Sequence, residues 1–135
     1  MKKSSPALPG ILSPCGHLLT DIQFIAQVAD LMHDTAFFIK EAEGRYRVVN
    51  RSILEWHGLA DKSQMRGQRH CGICPGDYGR IPTEQDCEVL GTDRPIVEQP
   101  ELFWRKPNMP VSGLTSKFPV RDAIGRITGL MGISK

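Results

Sequence analysis

Hydrophobic and polar residues alternate in two paired segments, one early and one late in the chain. The early pair, 36–50, reads AFFIKEAEGRYRVVN, with Gly44 in the turn, and the late pair, 112–134, reads SGLTSKFPVRDAIGRITGLMGIS. Alternation with aromatic and β-branched residues is typical of strands, and glycine supplies the left-handed turn position. Two hairpins are therefore predicted. Their strands are 36–40 with 45–49, and 112–121 with 126–134.

Helical spacing dominates the segment before the first hairpin. Apolar residues recur there every three or four positions, and Gln and Asp side chains occupy the opposite face. Thr20 with Gln23 three residues later matches a capping box. The pattern predicts an amphipathic helix over 20–32, preceded by a flexible Pro-, Ser- and Gly-rich arm over 1–19. The apolar stripe consists of Ile22, Ile25, Ala26, Ala29 and Met32.

Short helical pieces and irregular chain separate the hairpins. Asn50 is suited to cap a helix that Gly58 ends, and Thr83 is suited to cap a second one that runs through Leu90. A fifth strand is predicted over 96–106, weakened at its proline. Together these elements predict an α+β fold, in which one five-stranded antiparallel sheet carries short helices over one face. The remaining predicted pieces are a helix at 51–57, a turn at 61–65 and an irregular stretch at 67–82.

Length and composition exclude several classes of protein. With 135 residues, 40% of them hydrophobic and 24% charged, the chain fits one globular domain with its own core. A net charge of +2, with Lys and Arg scattered, argues against nucleic-acid binding by this chain alone. No apolar run approaches the ~20 residues of a membrane span, and prolines interrupt the N-terminus where a signal peptide would need a compact apolar core. We therefore expect a cytoplasmic protein whose four cysteines are reduced thiols.

Three phrases resemble the PAS domain family and occur in its order. They are FFIKEAEGRYRVVNRSILEWHGL, a capped helix leading into VLGTDRPIVE, and LTSKFPVRDAIGRITGLMGIS. The chain is most similar to the N-terminal sensor domains of bacterial AraC-type and LuxR-type transcription regulators. The resemblance implies a PAS sensor domain over 20–135 and a homodimer built on the helix at 20–32. It also implies DNA binding only through an output domain that this chain lacks.

PAS domains enclose a pocket or a small core between the concave face of the sheet and the short helices. Their ligands range from haem and flavin to small organic molecules, and some members bind none. Strand alternation places Ser116 with two apolar neighbours on one face, opposite Thr115 and Lys117. We expect the Ser116 face to line the pocket, because a small hydroxyl among apolar groups suits an oriented ligand contact. The predicted lining residues are Phe38, Trp56, Tyr78, Trp104, Leu114, Ser116, Phe118 and Met131.

One cysteine motif offers separate chemistry. His70-Cys71-Gly72-Ile73-Cys74 is followed by Cys87, and a Cys-x-x-Cys pair can present two thiolates to a metal that His70 or Cys87 completes. Because no second paired knuckle follows, reduced thiols in a loop are the favoured interpretation. The flavin-binding branch of the family carries Gly-x-Asn-Cys-Arg-Phe-Leu-Gln near this position, and the chain does not match it. The sequence predicts no particular cofactor. Binding of an unidentified small organic molecule stays open.

These observations favour a small-molecule sensor domain of a transcription regulator. Three alternatives stay open: a ligand-free dimerisation module, a metal or redox sensor through Cys71, Cys74 and Cys87, and the sensor domain of a histidine kinase. An enzyme is not expected, because the sequence shows no Ser/His/Asp or Cys/His set with supporting context, no phosphate-binding glycine loop and no paired carboxylates in a cleft-like segment.

Overall fold

The computed structural model describes residues 22–105 and 109–135. Its five strands form one antiparallel sheet in the order β2-β1-β5-β4-β3. Single 3-10 turns at Lys62–Gln64 and His70–Gly72 lie between the second and third helices. The predicted α+β architecture is confirmed. The elements are α1 (Ile22–Ala29), β1 (Ala36–Glu41), β2 (Tyr46–Val49), α2 (Arg51–His57), α3 (Gly76–Thr92), β3 (Ile96–Arg105), β4 (Met109–Arg121) and β5 (Ile127–Ser134).

Three sequence expectations fall partly outside the described residues. The arm predicted over 1–19 lies there, as do Thr20 with its capping box and Lys106 at the end of the fifth strand. Within the described ranges α1 ends at Ala29 and continues as a hydrogen-bonded turn, three residues earlier than predicted. None of the helices in those ranges has the length and apolar character needed to cross a membrane.

The first hairpin forms one side of the sheet, with β2 at the edge and β5 at the centre. β1 pairs with β2 on one side and with β5 on the other, which brings the two predicted hairpins into one sheet. Gly132 of β5 lies beside Phe38 of β1, and a Cβ atom at Gly132 would come within 2.2 Å of that aromatic ring. Glycine is therefore required at this position for the Phe38 ring to lie across the inner face of the sheet.

Helix α3 differs most from its sequence prediction. It begins at Gly76, seven residues before the predicted cap at Thr83, and it contains Pro82 in its interior. A proline there has no N–H to donate to the carbonyl of Tyr78, four residues earlier, so the sequence favours a break. The freed Tyr78 carbonyl instead takes part in a hydrogen bond with His70. The Thr83 hydroxyl, predicted to cap the helix, accepts a hydrogen bond from the backbone of the preceding 3-10 turn.

Two cores pack against opposite faces of the sheet. The outer core lies beneath α1, where Ala29, Phe37 and Val48 are buried among Ile, Met and Ala side chains. The inner core lies between the sheet and helices α2 and α3. Its buried hydrophobic members are Ala36, Phe38, Tyr46, Val49, Ile53, Leu54, Trp56, Met65, Val89, Phe103 and Leu130.

Asn50 connects the two cores. Its side-chain oxygen accepts hydrogen bonds from the backbone N–H groups of Phe37 (3.1 Å) and Ile53 (3.2 Å). Its amide donates to the carbonyls of Ala29 (2.9 Å) and Thr35 (2.8 Å). The side chain thus caps α2, as predicted from sequence, and also fixes the end of α1 to β1.

Candidate functional site

A cavity lies between the inner face of the sheet and helices α2 and α3. It leaves about 30 Å³ for the centres of water-sized molecules, and roughly 10–15 Å³ on that measure holds one water. The aromatic residues of its wall are Phe38, Tyr46, Trp56, Tyr78, Phe103 and Trp104. Its titratable residues are Lys40, His57, His70, Glu101 and Lys117. The cavity is therefore small, aromatic and densely charged.

A surface groove adjoins this cavity. The groove runs between α3 and β3 and has about 390 Å³ on the same measure. It shares Tyr78, Pro82, Glu101 and Leu102 with the cavity wall. The ring of Tyr78 packs against Trp104, with centroids 5.0 Å apart. Movement of these shared side chains would join the groove to the cavity.

Three buried charges span the inner face. Asp86 of α3 forms ion pairs with Lys40 of β1 and with Lys117 of β4, the second at 2.8 Å. Lys117 also donates to the carbonyl of Pro82 at 3.1 Å. The three side chains are 1–2% exposed, and burial of charges is costly unless they are paired and hydrogen-bonded. Asp86 supplies that pairing for two ammonium groups at once.

Two lysine side chains share the single carboxylate of Asp86 in this cluster. Burial lowers the pKa of Lys40 to about 8, against the opposing attraction of Asp86, so the ammonium is still mainly protonated at neutral pH. It also lies 4.4 Å from the ring centroid of Tyr46. Burial raises the pKa of Glu101, although the charge of Lys117 acts in the opposite direction. A ligand that carries partial negative charge would be attracted to this end of the cavity.

Buried polar atoms next to the cavity lack hydrogen-bond partners. Among the described residues, Trp56 Nε1, Gln85 Oε1 and Glu101 Oε1 are buried with no partner. Trp56 and Glu101 line the cavity, whereas Gln85 lines the adjoining groove. Native proteins satisfy most such atoms, so an indole donor and a carboxyl acceptor beside one cavity suit a polar bound molecule or water.

A second cluster of polar side chains lies at the α2 end of the cavity. The hydroxyl of Tyr46 is 2.6 Å from Nδ1 of His70, and Sγ of Cys74 is 3.6 Å from Nδ1 of His57. Burial lowers the pKa of His57 to about 4. Burial, followed by the charge of Lys40, lowers the pKa of His70 well below its ordinary value. Both imidazoles are therefore neutral near pH 7.

Half of the predicted lining residues lie on the cavity wall. Phe38, Trp56, Tyr78 and Trp104 are brought together there, and ligand binding by them stays a prediction. Met131 instead packs on the outer face, in the core beneath α1. Its register partner Phe118 is 44% exposed.

The face predicted for β4 was wrong. Thr115 and Lys117 are the buried residues, 1% and 2% exposed, whereas Leu114 is 37% exposed and Ser116 accepts a hydrogen bond from the backbone of Glu98 at the strand edge. Alternation correctly separated the two sets, but the hydroxyl of Ser116 between two apolar residues led to the choice of the wrong set. Lys117 is instead buried because it pairs with Asp86 of α3, which lies 31 residues earlier in the sequence.

The alternative metal set is only partly assembled. His70 and Cys74 come together, whereas Cys71 and Cys87 are exposed and lie outside the cluster. The cysteines within the described ranges form no disulfide. His57 completes the group: one ring nitrogen of each histidine and Sγ of Cys74 lie within 4.8 Å of one another. Nothing in the spacing of the sequence connects His57 with the later motif.

Several polar residues of the cavity wall were not among the predicted lining residues, although strand alternation indicated where some of them lie. Lys40 shares a strand face with Ala36 and Phe38 by alternation, which placed it among apolar residues. Lys117 likewise alternates with exposed neighbours. The missed cavity residues are Lys40, Tyr46, His57, His70, Glu101 and Lys117, and Asp86 behind them.

Comparison with known proteins agrees with this architecture. A family model described as PAS fold matches residues 33–135, and a search of curated proteins finds no match. One chain of the VqmA dimer from Vibrio cholerae, a LuxR-type receptor, superposes with a TM-score of 0.69 at 18% identity, over 85% of this chain and 50% of that chain. VqmA bound to DPO gives 0.68 at 18% identity, over 85% and 57%.

A separate PAS domain from Colwellia psychrerythraea superposes with a TM-score of 0.64 at 18% identity, over 84% of this chain and 94% of that domain. The chain thus spans about half the length of the VqmA chains but nearly all of the isolated domain. At this level of identity the structures agree in fold, and the family model extends the agreement to sequence over most of the chain. The chain belongs to the PAS family.

Proposed function

We propose that the chain is a sensor domain of a transcription regulator, which binds a small organic molecule in its inner cavity. The observation that carries this proposal is the pair of unpartnered atoms, Trp56 Nε1 and Glu101 Oε1, beside the buried ammonium of Lys40. Buried polar groups without partners are rare in a core that serves packing alone. The structural likeness to VqmA, a LuxR-type receptor, supports a regulatory role.

The cavity wall specifies a compact, planar ligand. Aromatic rings from α2, α3 and β3 favour a flat molecule, and the indole N–H of Trp56 requires an acceptor. The carboxyl of Glu101 can accept a hydrogen bond or, when protonated, donate one. Because the free volume holds only a few waters, Tyr78 and Trp104 must move for the ligand to enter. DPO is the first molecule to test, since VqmA binds it.

The ligand signal would reach the outer face through shared strands. β1 carries Phe38 and Lys40 on the cavity side and Phe37 beneath α1, so displacement on one face moves the other. We propose that α1 and the turn after it mediate homodimerisation through Val28 of the helix and Leu31 of the turn, which are 47% and 73% exposed. A ligand-dependent shift of α1 would then alter the dimer geometry that an output domain reads.

Binding can be tested by native mass spectrometry and tryptophan fluorescence. Native mass spectrometry of the freshly purified, reduced chain reports any retained small molecule. Titration with DPO should quench or shift the emission of Trp56 and Trp104, both of which line the cavity. Lys40→Met should weaken that response at least tenfold, whereas Lys62→Met, at a partly exposed ion pair outside the cavity, should leave it unchanged. Equal responses from both variants would contradict binding in this cavity.

A ligand-free dimerisation module is the second candidate, and the small free volume favours it. The two functions differ in their response to a filled cavity. Ala36→Val adds two methyl groups at a buried wall position. In a ligand-free module this variant should keep its dimer and its regulatory output. In a sensor it should keep the dimer and lose the response to ligand.

A further inference from the structure

Three metal-ligating side chains meet at the α2 end of the cavity. His57 is the last residue of α2, His70 begins the second of the two 3-10 turns that follow it, and Cys74 lies just after that second turn. One ring nitrogen of each histidine and the sulfur of Cys74 lie within 4.8 Å of one another. We propose that His57, His70 and Cys74 bind one zinc ion. The zinc proposal does not depend on the small-molecule role proposed above.

The donor atoms suit zinc in kind and in spacing. Zinc bonds are about 2.0–2.1 Å to imidazole nitrogen and about 2.3 Å to thiolate sulfur, which in a tetrahedron places ligand atoms roughly 3.3–3.8 Å apart. His57 Nδ1 and Cys74 Sγ are 3.6 Å apart, already within that range. The largest separation, at most 4.8 Å, requires a contraction of about 1 Å.

The surrounding residues hold the ligands in place. Nδ1 of His70 lies 2.6 Å from the hydroxyl of Tyr46, and the backbone of Tyr78 is also hydrogen-bonded to this imidazole. Because the ring has only two nitrogens, zinc bound to His70 would replace one of these partners, and the other would hold the ring. Outer partners of this kind orient metal-binding histidines. The backbone at Cys74 packs directly against α3 at Gly79. A Cβ atom at Gly79 would lie only 2.2 Å from the Cys74 carbonyl oxygen, so only glycine allows this close contact.

Charge around the cluster acts in both directions. Lys40 and Lys117 place positive charge near His70, which opposes a cation. Asp86 pairs with both ammonium groups, and the thiolate formed when zinc displaces the Cys74 proton into solvent adds a negative charge at the metal. With only one thiolate, we expect weaker binding than at structural sites that use two or more.

The proposed ion keeps one coordination position open. Three protein ligands plus a water or a ligand atom is the arrangement of reactive zinc sites, whereas structural sites use four protein ligands. His57 and His70 both line the cavity, so the fourth position faces the space assigned to a small molecule. A chelating group on such a molecule could therefore bind the metal directly.

Cobalt titration tests the site. The full chain, reduced and free of any affinity tag, is titrated with Co²⁺ and then with Zn²⁺. We expect one equivalent of Co²⁺ to produce a thiolate-to-metal charge-transfer band and the visible bands of a tetrahedral ion, and Zn²⁺ to displace it. Cys74→Ser should abolish the charge-transfer band, and His57→Gln should lower the affinity more than tenfold.

Exposed cysteines give the matched controls. Cys71→Ser and Cys87→Ser remove thiols that lie outside the cluster and should bind cobalt as the original chain does. Circular dichroism of each variant distinguishes loss of a ligand from loss of fold, and His57→Gln provides a second ligand substitution should Cys74→Ser unfold. Absence of a band in the original chain overturns the proposal. The proposal is also overturned if the charge-transfer band persists in Cys74→Ser and disappears in Cys71→Ser.

Discussion

The two faces of strand β1 differ in chemistry, although their residues alternate along one short segment. On the outer face, Phe37 and Ile39 pack with other apolar side chains beneath α1. On the inner face, Phe38 is followed by Lys40, whose ammonium is buried and paired with Asp86. Adjacent residues of a single strand thus serve two cores, one that excludes charge and one that encloses it.

This difference separates stability from function. Apolar packing stabilises a sheet face without any polar group, as the outer core demonstrates. Buried ion pairs add little net stability, because removing two charges from water costs about as much as their attraction returns. The inner face therefore retains Lys40, Asp86 and Lys117 for a reason other than folding, and binding of a polar ligand is the reason proposed above.

Removal of the central carboxylate should have the largest effect. Asp86→Ala leaves Lys40 and Lys117 buried without a counter-ion. We expect the free energy of unfolding to fall by about 3–5 kcal/mol, as measured by urea denaturation. Asp77→Ala removes an exposed partner of Arg80 on the same helix and should cost less than about 1 kcal/mol. Similar losses in the two variants would contradict a special role for the buried charges.

Replacement of the whole charged cluster separates pairing from packing. In the triple variant Lys40→Met, Asp86→Leu, Lys117→Met, no charge is left unpaired and the volumes change little. Such replacements of buried ion pairs are often neutral or stabilising by about 1–4 kcal/mol. We expect the triple variant to unfold at a urea concentration equal to or above that of the original chain, and to lose its response to ligand.

The sequence predicted the fold much better than the charged site. Both hairpins and the Asn50-capped helix follow from alternation, glycine turns and capping, all of which act within a few residues. The inner face depends on Asp86 meeting lysines 46 and 31 residues away, and no local pattern reports such a contact. Pro82 hid the true start of α3 for a related reason, since its effect is offset by hydrogen bonds from other elements.

Asn50 tests whether the two faces unfold together. Asn50→Ala removes four hydrogen bonds and leaves buried backbone groups of α1, β1 and α2 without partners. We expect a loss of about 2–3 kcal/mol, with one unfolding transition by both fluorescence and circular dichroism. Asn50→Asp keeps the acceptor but places a buried carboxylate oxygen against the carbonyls of Ala29 and Thr35, so it should destabilise the chain at least as much as Asn50→Ala. Two separate transitions would show that the faces are not coupled through this residue.

The lowered pKa of Lys40 predicts a rise of stability with pH. The folded pKa is about 8 and the ordinary value is 10.5, so between these values the unfolded chain binds more protons than the folded one. The free energy of unfolding should therefore increase by about 1–2 kcal/mol from pH 8 to pH 10. The charged or titratable groups that face Lys40 are Tyr46, Asp86, Glu101 and Lys117.

The contribution of Lys40 is found by comparing the pH dependence of stability in the original chain with that in a Lys40 variant. Burial raises the pKa of Tyr46 well above its ordinary value, which favours unfolding above pH 10 and limits the useful window. Lys40→Met removes the titrating group at similar volume and should flatten the increase between pH 8 and pH 10. Lys62→Met, which alters a partly exposed ion pair, serves as the control and should keep the increase. An unchanged slope in Lys40→Met would assign the effect to another group.

The smallest effect on folding is expected on the exposed side of α1. Val28 is 47% exposed, and its position in the last turn of the helix favours a cation, so Val28→Lys should change the free energy of unfolding of the monomer by less than about 0.5 kcal/mol. If α1 forms the proposed dimer, the same substitution places charge in that interface and should lower the dimer fraction in sedimentation velocity. Gln27→Lys adds the same charge at an exposed polar neighbour and is the matched control. Dissociation by Val28→Lys alone would show that the outer face serves assembly as well as packing, whereas an intact dimer in both variants would remove α1 from the interface.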